Sequence, residues 1–599
     1  SLLWLKDKGT YGEYKDLLGN KLVHTSPAIW TIYHSIDSEV PDAFQAWQSL
    51  RYIDNCIPHI PVRATGLKDN GYYTLATSSW MPYTWSLNNV ALAESMHTAL
   101  ANWQGGRADE AFRLFKSEVL ASMYLGGSPG NFVQISHYDA SRGEAYRDFG
   151  DPVGMFSRAL IEGLFGIQPD LMRHVLNIRP GFPYEWDSAA IASPDIDLRF
   201  KRKGQTDSYV IRQRLGGPQA LCFSVIARAQ VKEITVNGKK MTWHCKDSAV
   251  GHPVITFKAP ADERFDIRIS WQGTKPAMPP AERTYQPGTA FSAVFNNATI
   301  LEVYDPQQAL QHILITKNRI TAGIKTTKGN PTFFLRMKQG MLTWWMPVCF
   351  RVTTPVQSAP VLPSGNTETV DMTAWFNDKV TSIFTNKYLS PRPQTTTLQL
   401  PWQGIGDWPH PHEQPVIDDS GLRKLAGSRN EISFPNGLRF RTPGDADSRN
   451  ILFTSQWDNY PGETSIPLRG NASYMWLLMA GSTNPMQSRM DNGAVYIEYT
   501  DGSRDSLMLY NPDTWWPIEK DYYADGFAFK LEKPRPPRIH LKTGELVTGD
   551  AFNGRTIEGG AATVLELALN PQKTLRSLRL KTIINDVVVG LMGVTLLRK

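Results

Sequence analysis

The 599 residues are 41% hydrophobic and 20% charged, which excludes a disorder-dominated chain and implies roughly four domains by length. Sixty-three basic residues face 57 acidic ones for a net charge of +6; with no dense Lys/Arg block, no nucleic-acid partner is expected. The four cysteines (Cys56, Cys222, Cys245, Cys349) form no CxxC, excluding a disulfide scaffold and a zinc site, and no apolar run reaches the length of a membrane span.

In chain order, residues 1–190 read as helical. Segments 41–54, 86–103, 107–124 and 151–165 carry apolar residues at helical spacing, such as the stripe Phe112, Phe115, Val119 and Met123, and Phe156, Ala159, Leu160, Gly163 and Leu164. Ser86 precedes one helix, Asp151-Pro152 opens another, and Gly105-Gly106 closes a hairpin. Long polar loops, 71–85 and 126–150, separate the helices, and loops of that length are usually functional. From about residue 190 the pattern becomes alternating strands, with Asn237-Gly238 as a type I′ turn. Residues 191–275 predict a small β-sandwich. Residues 276–387 predict a β-rich domain with a Pro-rich linker (275–287) and one helix near 370–385. Residues 388–599 predict a C-terminal β-sandwich, a candidate carbohydrate-binding domain, with turns at Asn492-Gly493 and Asp501-Gly502 and a final strand near 587–597.

Eighteen tryptophans fill cores or offer flat platforms for sugar rings. In the loop 74–89, Trp80, Tyr83, Trp85 and Asn88 are the candidate sugar contacts. Paired tryptophans in β domains are more often core, which is the reading for Trp515 and Trp516. Splitting a glycosidic bond takes one carboxylic acid and one carboxylate. The segment 136–152 concentrates acids, with Asp139, Glu144, Asp148 and Asp151 interleaved with Tyr138, Arg142 and Arg147. Two upstream clusters hold Glu13 with Asp16, and His34 with Asp37, Glu39 and Asp42. Against each stands a structural reading: a solvated charged loop, or an acid serving a helix start. Asp418-Asp419 and Asp521 are acidic enough to border a structural Ca²⁺, but no loop has EF-hand spacing, so no cofactor or metal is expected.

The runs from Trp80 through Tyr124, from Ser141 through Asp170 and from Leu176 through Ala189 resemble the last hairpins of six-hairpin (α/α)6-barrel glycosidases. More closely, through residues 457–461, 477–488 and 511–522, the chain resembles a Bacteroidota-type polysaccharide-utilisation family, the domain of unknown function 4450. The resemblance implies a periplasmic or secreted glycoside hydrolase acting on plant or algal polysaccharide side chains, inverting and exo-acting, with an oligo- or polysaccharide as partner. It places Glu144 as the base, with Asp148 and Asp139 as rivals, and Glu13 or Asp37 as the acid. Inverting geometry would set the carboxyls about 6.5–9.5 Å apart. The alternative is a non-catalytic glycan-binding or scaffolding protein on a degenerate barrel. Six hairpins need about twelve helices and only half of them precede the β region, so the expected fold is the C-terminal half of a barrel followed by β-sandwiches. The other half is expected from the same precursor or a second chain.

Overall fold

The computed structural model describes residues 2–17, 19–80, 89–125, 150–353, 365–386, 415–456, 460–483, 487–522, 524, 531, 533–549 (without 532), 556–585 and 587–598. They form two compact units. Unit 1 comprises residues 1–11, 27–77 and 90–356; unit 2 comprises 12–26, 78–89 and 357–599.

Unit 1 begins with helices α1 (Ile29–Asp37), α2 (Ala43–Cys56), α3 (Leu92–Gln104), α4 (Ala108–Val119) and α5 (Gly150–Arg158). The α1 stripe Ile29, Ile32, Tyr33 and Ile36 is buried at i, i+3, i+4, i+7. Asp42 caps α2 through a capping box with Gln45, which accounts for that acid structurally. Ten of the thirteen α3 residues are buried, so α3 is the central helix. The glycine pair ends it as expected, Gly106 adopting φ +81°. Both α4 and α5 run on into π-helical turns, Leu120–Tyr124 and Ala159–Leu164.

Short strands Trp4–Leu5, Thr10–Tyr11, His59–Pro61 and Tyr73–Leu75 lie among the helices, and the β region itself starts earlier than the sequence pattern implies, at Ile167–Asp170 and Val175–Ile178, because these short runs sit in a five-stranded sheet whose other members lie beyond residue 218. That sheet faces a six-stranded one containing Ile196–Lys203, Thr206–Gln213 and Arg264–Gln272. Alternation does the sorting: Gln219–Ile226 turns Leu221, Phe223 and Val225 inward and their neighbours outward. A chain of rings, Phe182, Phe200, Tyr209, Phe223 and Phe257, crosses this core at centroid spacings of 5.2, 4.9, 4.9 and 5.3 Å. Asn237 and Gly238 both take positive φ, the signature of the expected type I′ turn. Two three-stranded sheets over residues 290–349 complete the unit.

In unit 2 a seven-stranded sheet lies with a four-stranded one. Val588–Arg598 is its longest strand and pairs with Thr367–Thr369, Leu452–Ser455 and Ala472–Gly481. Nine consecutive residues of it are buried, so an unbroken apolar run here marks a strand covered on both faces. Two expectations fail. Residues 370–385 are not a helix but turns and a 3₁₀ segment, Val380–Ser382, because Asp378 and Val380 are tied to Asn450 and Ile451, some 70 residues later in the sequence. Asn492-Gly493 is not a turn but a bulged stretch of strand Asp491–Tyr499, where a Cβ on Gly493 would stand 2.8 Å from the Lys581 carbonyl. Asp501-Gly502 is a turn, with φ +82° at the glycine.

Strands take up 41% of the described residues and helices 16%, so the described structure is predominantly β. The five helices that the described residues give unit 1 do not close an (α/α)6 ring, which needs about twelve. No helix among the described residues is long and apolar enough to cross a membrane. All four cysteines are free thiols.

The sequence GLFGI, with the downstream RPGFP, is explained by one side chain. Trp103 of α3 fills the space left by Gly163 and Gly181: a Cβ on either would come within 2.2 or 2.3 Å of the indole. The Trp103 Nε1–H donates to the Gly181 carbonyl at 2.9 Å. Replacing Gly163 by Ala therefore overpacks the joint and is expected to destabilise unit 1 by about 1–3 kcal/mol, measured by denaturant unfolding.

Unit 2 contains a fully buried Glu519, which burial pushes up to about 7. A raised carboxyl favours the folded state below its unfolded pKa, and this contribution is lost as pH rises through about 7. Glu519→Gln is expected to abolish a fall of about 3 kcal/mol between about pH 4 and pH 8, read from unfolding midpoints across that range.

Candidate active site

Three helices of unit 1 bring a set of ionisable side chains together. Tyr33, His34 and Asp37 come from α1, Glu94, His97 and Gln104 from α3, and Arg158 from the end of α5. Tyr33 and Asp37 are four residues apart, and Glu94 and His97 three, so each pair shares a helix face.

Asp37 is the anionic end. Arg158 clasps it in bidentate fashion, Nη1 to Oδ2 and Nη2 to Oδ1 at 2.7 Å each. The Gln104 amide donates to Oδ1 at 2.8 Å and His97 Nε2 stands 3.2 Å from Oδ2. The Arg158 hydrogen bonds hold the Asp37 carboxyl well below the usual carboxylate range. Arg158 also donates to Glu162 at 3.0 Å, which fixes its guanidinium.

Glu94, in the first turn of α3, is the opposite case. Its carboxylate accepts the Tyr33 hydroxyl, yet burial dominates and pushes Glu94 above its ordinary value. Burial, followed by the Glu94 charge, also drives the Tyr33 hydroxyl up. The Tyr33 ring stacks on His97 with centroids 4.1 Å apart, and His34 lies 4.5 Å from Tyr33 and 5.3 Å from His97. Burial lowers His97, so its imidazole stays neutral and donates Nε2–H to the Asp37 carboxylate. Beyond this cluster, Glu118 of α4 is wholly buried, and burial, opposed only by Ser95, pushes it well above the ordinary value.

The sequence-based candidates are placed as follows. Asp37 is in the cluster, but a carboxylate held by Arg158 keeps its charge and suits positioning, not proton donation. Glu13 lies in the 12–26 loop of unit 2, its N–H bonded to the His24 carbonyl at 2.8 Å; its neighbour Asp16 is buried against His24 Nε2 at 3.0 Å. Trp80 is fully buried in unit 2 and donates from Nε1 to the Ser26 carbonyl at 2.8 Å, which gives it a packing role in place of an open sugar platform. Tyr83, Trp85, Asn88, Tyr138, Asp139, Arg142, Glu144, Arg147 and Asp148 lie outside the described residues. Trp515 and Trp516 are core, 0% and 2% exposed. Asp419 and Asp521 are engaged by Arg423 and Arg538 at 2.9 and 2.6 Å, and no group of metal-holding side chains occurs among the described residues. Sequence reasoning missed Glu94 and His97; their Glu-x-x-His spacing on a recognised helix was the available signal.

No family model and no curated protein matches the chain. Among solved structures it is similar over 39% of its length to a putative kojibiose phosphorylase from the human microbiome, with 11% identity, TM-score 0.18 and 24% of that chain covered. Over 30% of its length it is similar to gamma-CGTase from Alkalophilic bacillus clarkii, with 14% identity, TM-score 0.12 and 26% of that chain covered. Over 66% it is similar to Yersinia pseudotuberculosis InvD, with 11% identity, TM-score 0.13 and 97% coverage of that chain. The chain thus spans about a quarter of the two carbohydrate-active enzymes, and at these TM-scores the likenesses assign it no activity.

Removing the Asp37 charge should expose what the clamp contributes. Asp37→Asn leaves Arg158 half-paired, and a loss of about 1–3 kcal/mol is expected. Because the folded pKa is depressed, the wild-type contribution is present above the unfolded value and disappears as pH falls through the folded one. The variant should therefore lose the acid-side slope in unfolding experiments.

Proposed function

We propose that the chain is part of a glycoside hydrolase acting on plant or algal polysaccharide side chains, with Glu94 as the proton-transferring carboxyl. The observation that carries this reading is Glu94 itself. It is a carboxyl raised by burial and hydrogen-bonded to Tyr33 on a neighbouring helix, with Asp37, held well below the usual carboxylate range, farther along the same helix pair. Two carboxyls driven apart in pKa by their surroundings are what acid/base cleavage of a glycosidic bond requires. In this reading Glu94 protonates the leaving oxygen. Asp37 orients His97 and Arg158, and Glu144, which lies outside the described residues, remains the proposed base that activates water, with inversion and release from chain ends. The periplasmic or secreted location and the polysaccharide partner belong to the same proposal and rest on the sequence resemblance.

The test is product release from a panel of plant and algal glycans. Glu94→Gln is expected to lower turnover about 10²–10⁴-fold while glycan affinity persists. A general acid works while protonated, so wild-type activity should fall as pH rises through the Glu94 pKa, and that alkaline limb should vanish in the variant. A panel that yields no product, with glycan binding intact in both proteins, would replace the hydrolase with a non-catalytic binding protein.

A further inference from the structure

The two oxygens of Glu94 have unlike surroundings. Oε2 accepts the Tyr33 hydroxyl, whereas Oε1 of this half-buried side chain accepts no hydrogen bond among the described residues. We infer that Tyr33 is the positioning residue of Glu94. Its hydroxyl commits Oε2, leaves Oε1 to present the proton to a glycosidic oxygen, and steadies the carboxylate left behind. The inference rests on the reading of Glu94 as the proton donor and adds what governs it.

The aim of the hydroxyl is fixed from behind. Tyr33 is 4% exposed, and its ring stacks on His97 with centroids 4.1 Å apart and 24° between the planes. His97 Nε2 stands 3.2 Å from Asp37 Oδ2, and Arg158 grips both Asp37 oxygens. Asp37 also lies one helical turn beyond Tyr33 on α1, so ring and anchor share a face. Phenol, imidazole and clamp form one chain across α1, α3 and α5, and swinging the phenol away from Glu94 would unstack it from His97.

In the transfer step the proton passes from Oε1 to the glycosidic oxygen. The bond from that oxygen to the anomeric carbon breaks with its electron pair on the oxygen, and water supplies the new hydroxyl on the carbon. Glu94 is left negative. A hydrogen bond to a carboxylate is roughly twice as strong as one between neutral groups. The Tyr33 bond therefore tightens as charge develops, where stabilisation accelerates the step. Tyr33 keeps its own proton, since burial and the Glu94 charge drive its hydroxyl up. The other groups acting on Glu94 are His34 from α1 and Asp151 from α5; Glu118 of α4 meets Ser95, and Glu162 of the π-helical turn meets Arg158.

The test is Tyr33→Phe, which keeps the ring on His97 and removes only the donor, beside a protein carrying 3-fluorotyrosine at position 33, a stronger donor. Turnover against pH is measured on a glycan that the wild type cleaves. Glu94 is also titrated directly, through its carboxyl-carbon NMR signal in glutamate-labelled protein, assigned by its loss in Glu94→Gln. A donor to the carboxylate favours the ionised form. Tyr33→Phe should therefore move the Glu94 titration and the alkaline limb of activity to higher pH, and fluorotyrosine should move both to lower pH. Tyr33→Phe should also lower kcat roughly 10–100-fold, the scale of a lost hydrogen bond to a charged group, with KM little changed. A hydroxyl with a merely structural role would shift the unfolding midpoint and leave titration and limb in place. Absence of turnover on every glycan overturns the hydrolase reading and with it the transfer step. An unmoved Glu94 signal in both proteins, which needs no substrate to observe, or unchanged turnover in Tyr33→Phe, overturns the positioning by Tyr33.

Discussion

The seating of Trp103 is the constraint on which the helical part of unit 1 depends. Its indole occupies the gap that two glycines leave, and its N–H is bound to one of them. The joint locks α3 to the turn ending α5 and to the chain entering the first sheet. An indole that touches both sides at van der Waals distance leaves little slack. Since α3 carries Glu94 near its start, His97 in the middle and Gln104 at its end, fixing the helix fixes three chemically active positions at once.

The same helix pair shows how environment divides identical groups. Asp37 and Glu94 are both carboxyls on adjacent helices. One meets a bidentate guanidinium and is held low; the other is buried beside a phenol and is pushed above its ordinary value. Unit 2 repeats the contrast, where Asp521 pairs with Arg538 while Glu519, two residues away, is buried with an unpartnered oxygen. Hydrogen bonds from cations and desolvation act in opposite directions, and proximity in sequence does not predict which prevails.

Much of the framework was legible in the residues. The helical hairpin at Gly105-Gly106, the type I′ turn at Asn237-Gly238 and the apolar closing strand follow from local rules that tertiary contacts reinforce. What could not be read were features set by distant partners. Residues 370–385 have helical composition, but Asn450 and Ile451 hold them in turns. Gly493 resembles a hairpin glycine and instead clears the Lys581 carbonyl. Asp37 was visible as a candidate acid, whereas its neutralisation by a residue 121 positions away was not. Glu94 went unnoticed because a carboxylate in a helix is usually solvated, and beyond its spacing from His97 it is burial that sets it apart.

The arrangement of unit 2 bears on how the protein is made. Val588–Arg598 supplies the neighbour for three other strands, two of them drawn from residues 367–369 and 452–455, yet it emerges from the ribosome after all of them. Those earlier segments must wait, with their strand edges unpaired, until synthesis has passed the last residue of their shared partner. At translation speeds of about 5–20 residues per second, that interval lasts roughly 11–46 seconds for the most distant of the three. Unit 2 therefore carries unpaired strand edges for much of its own synthesis.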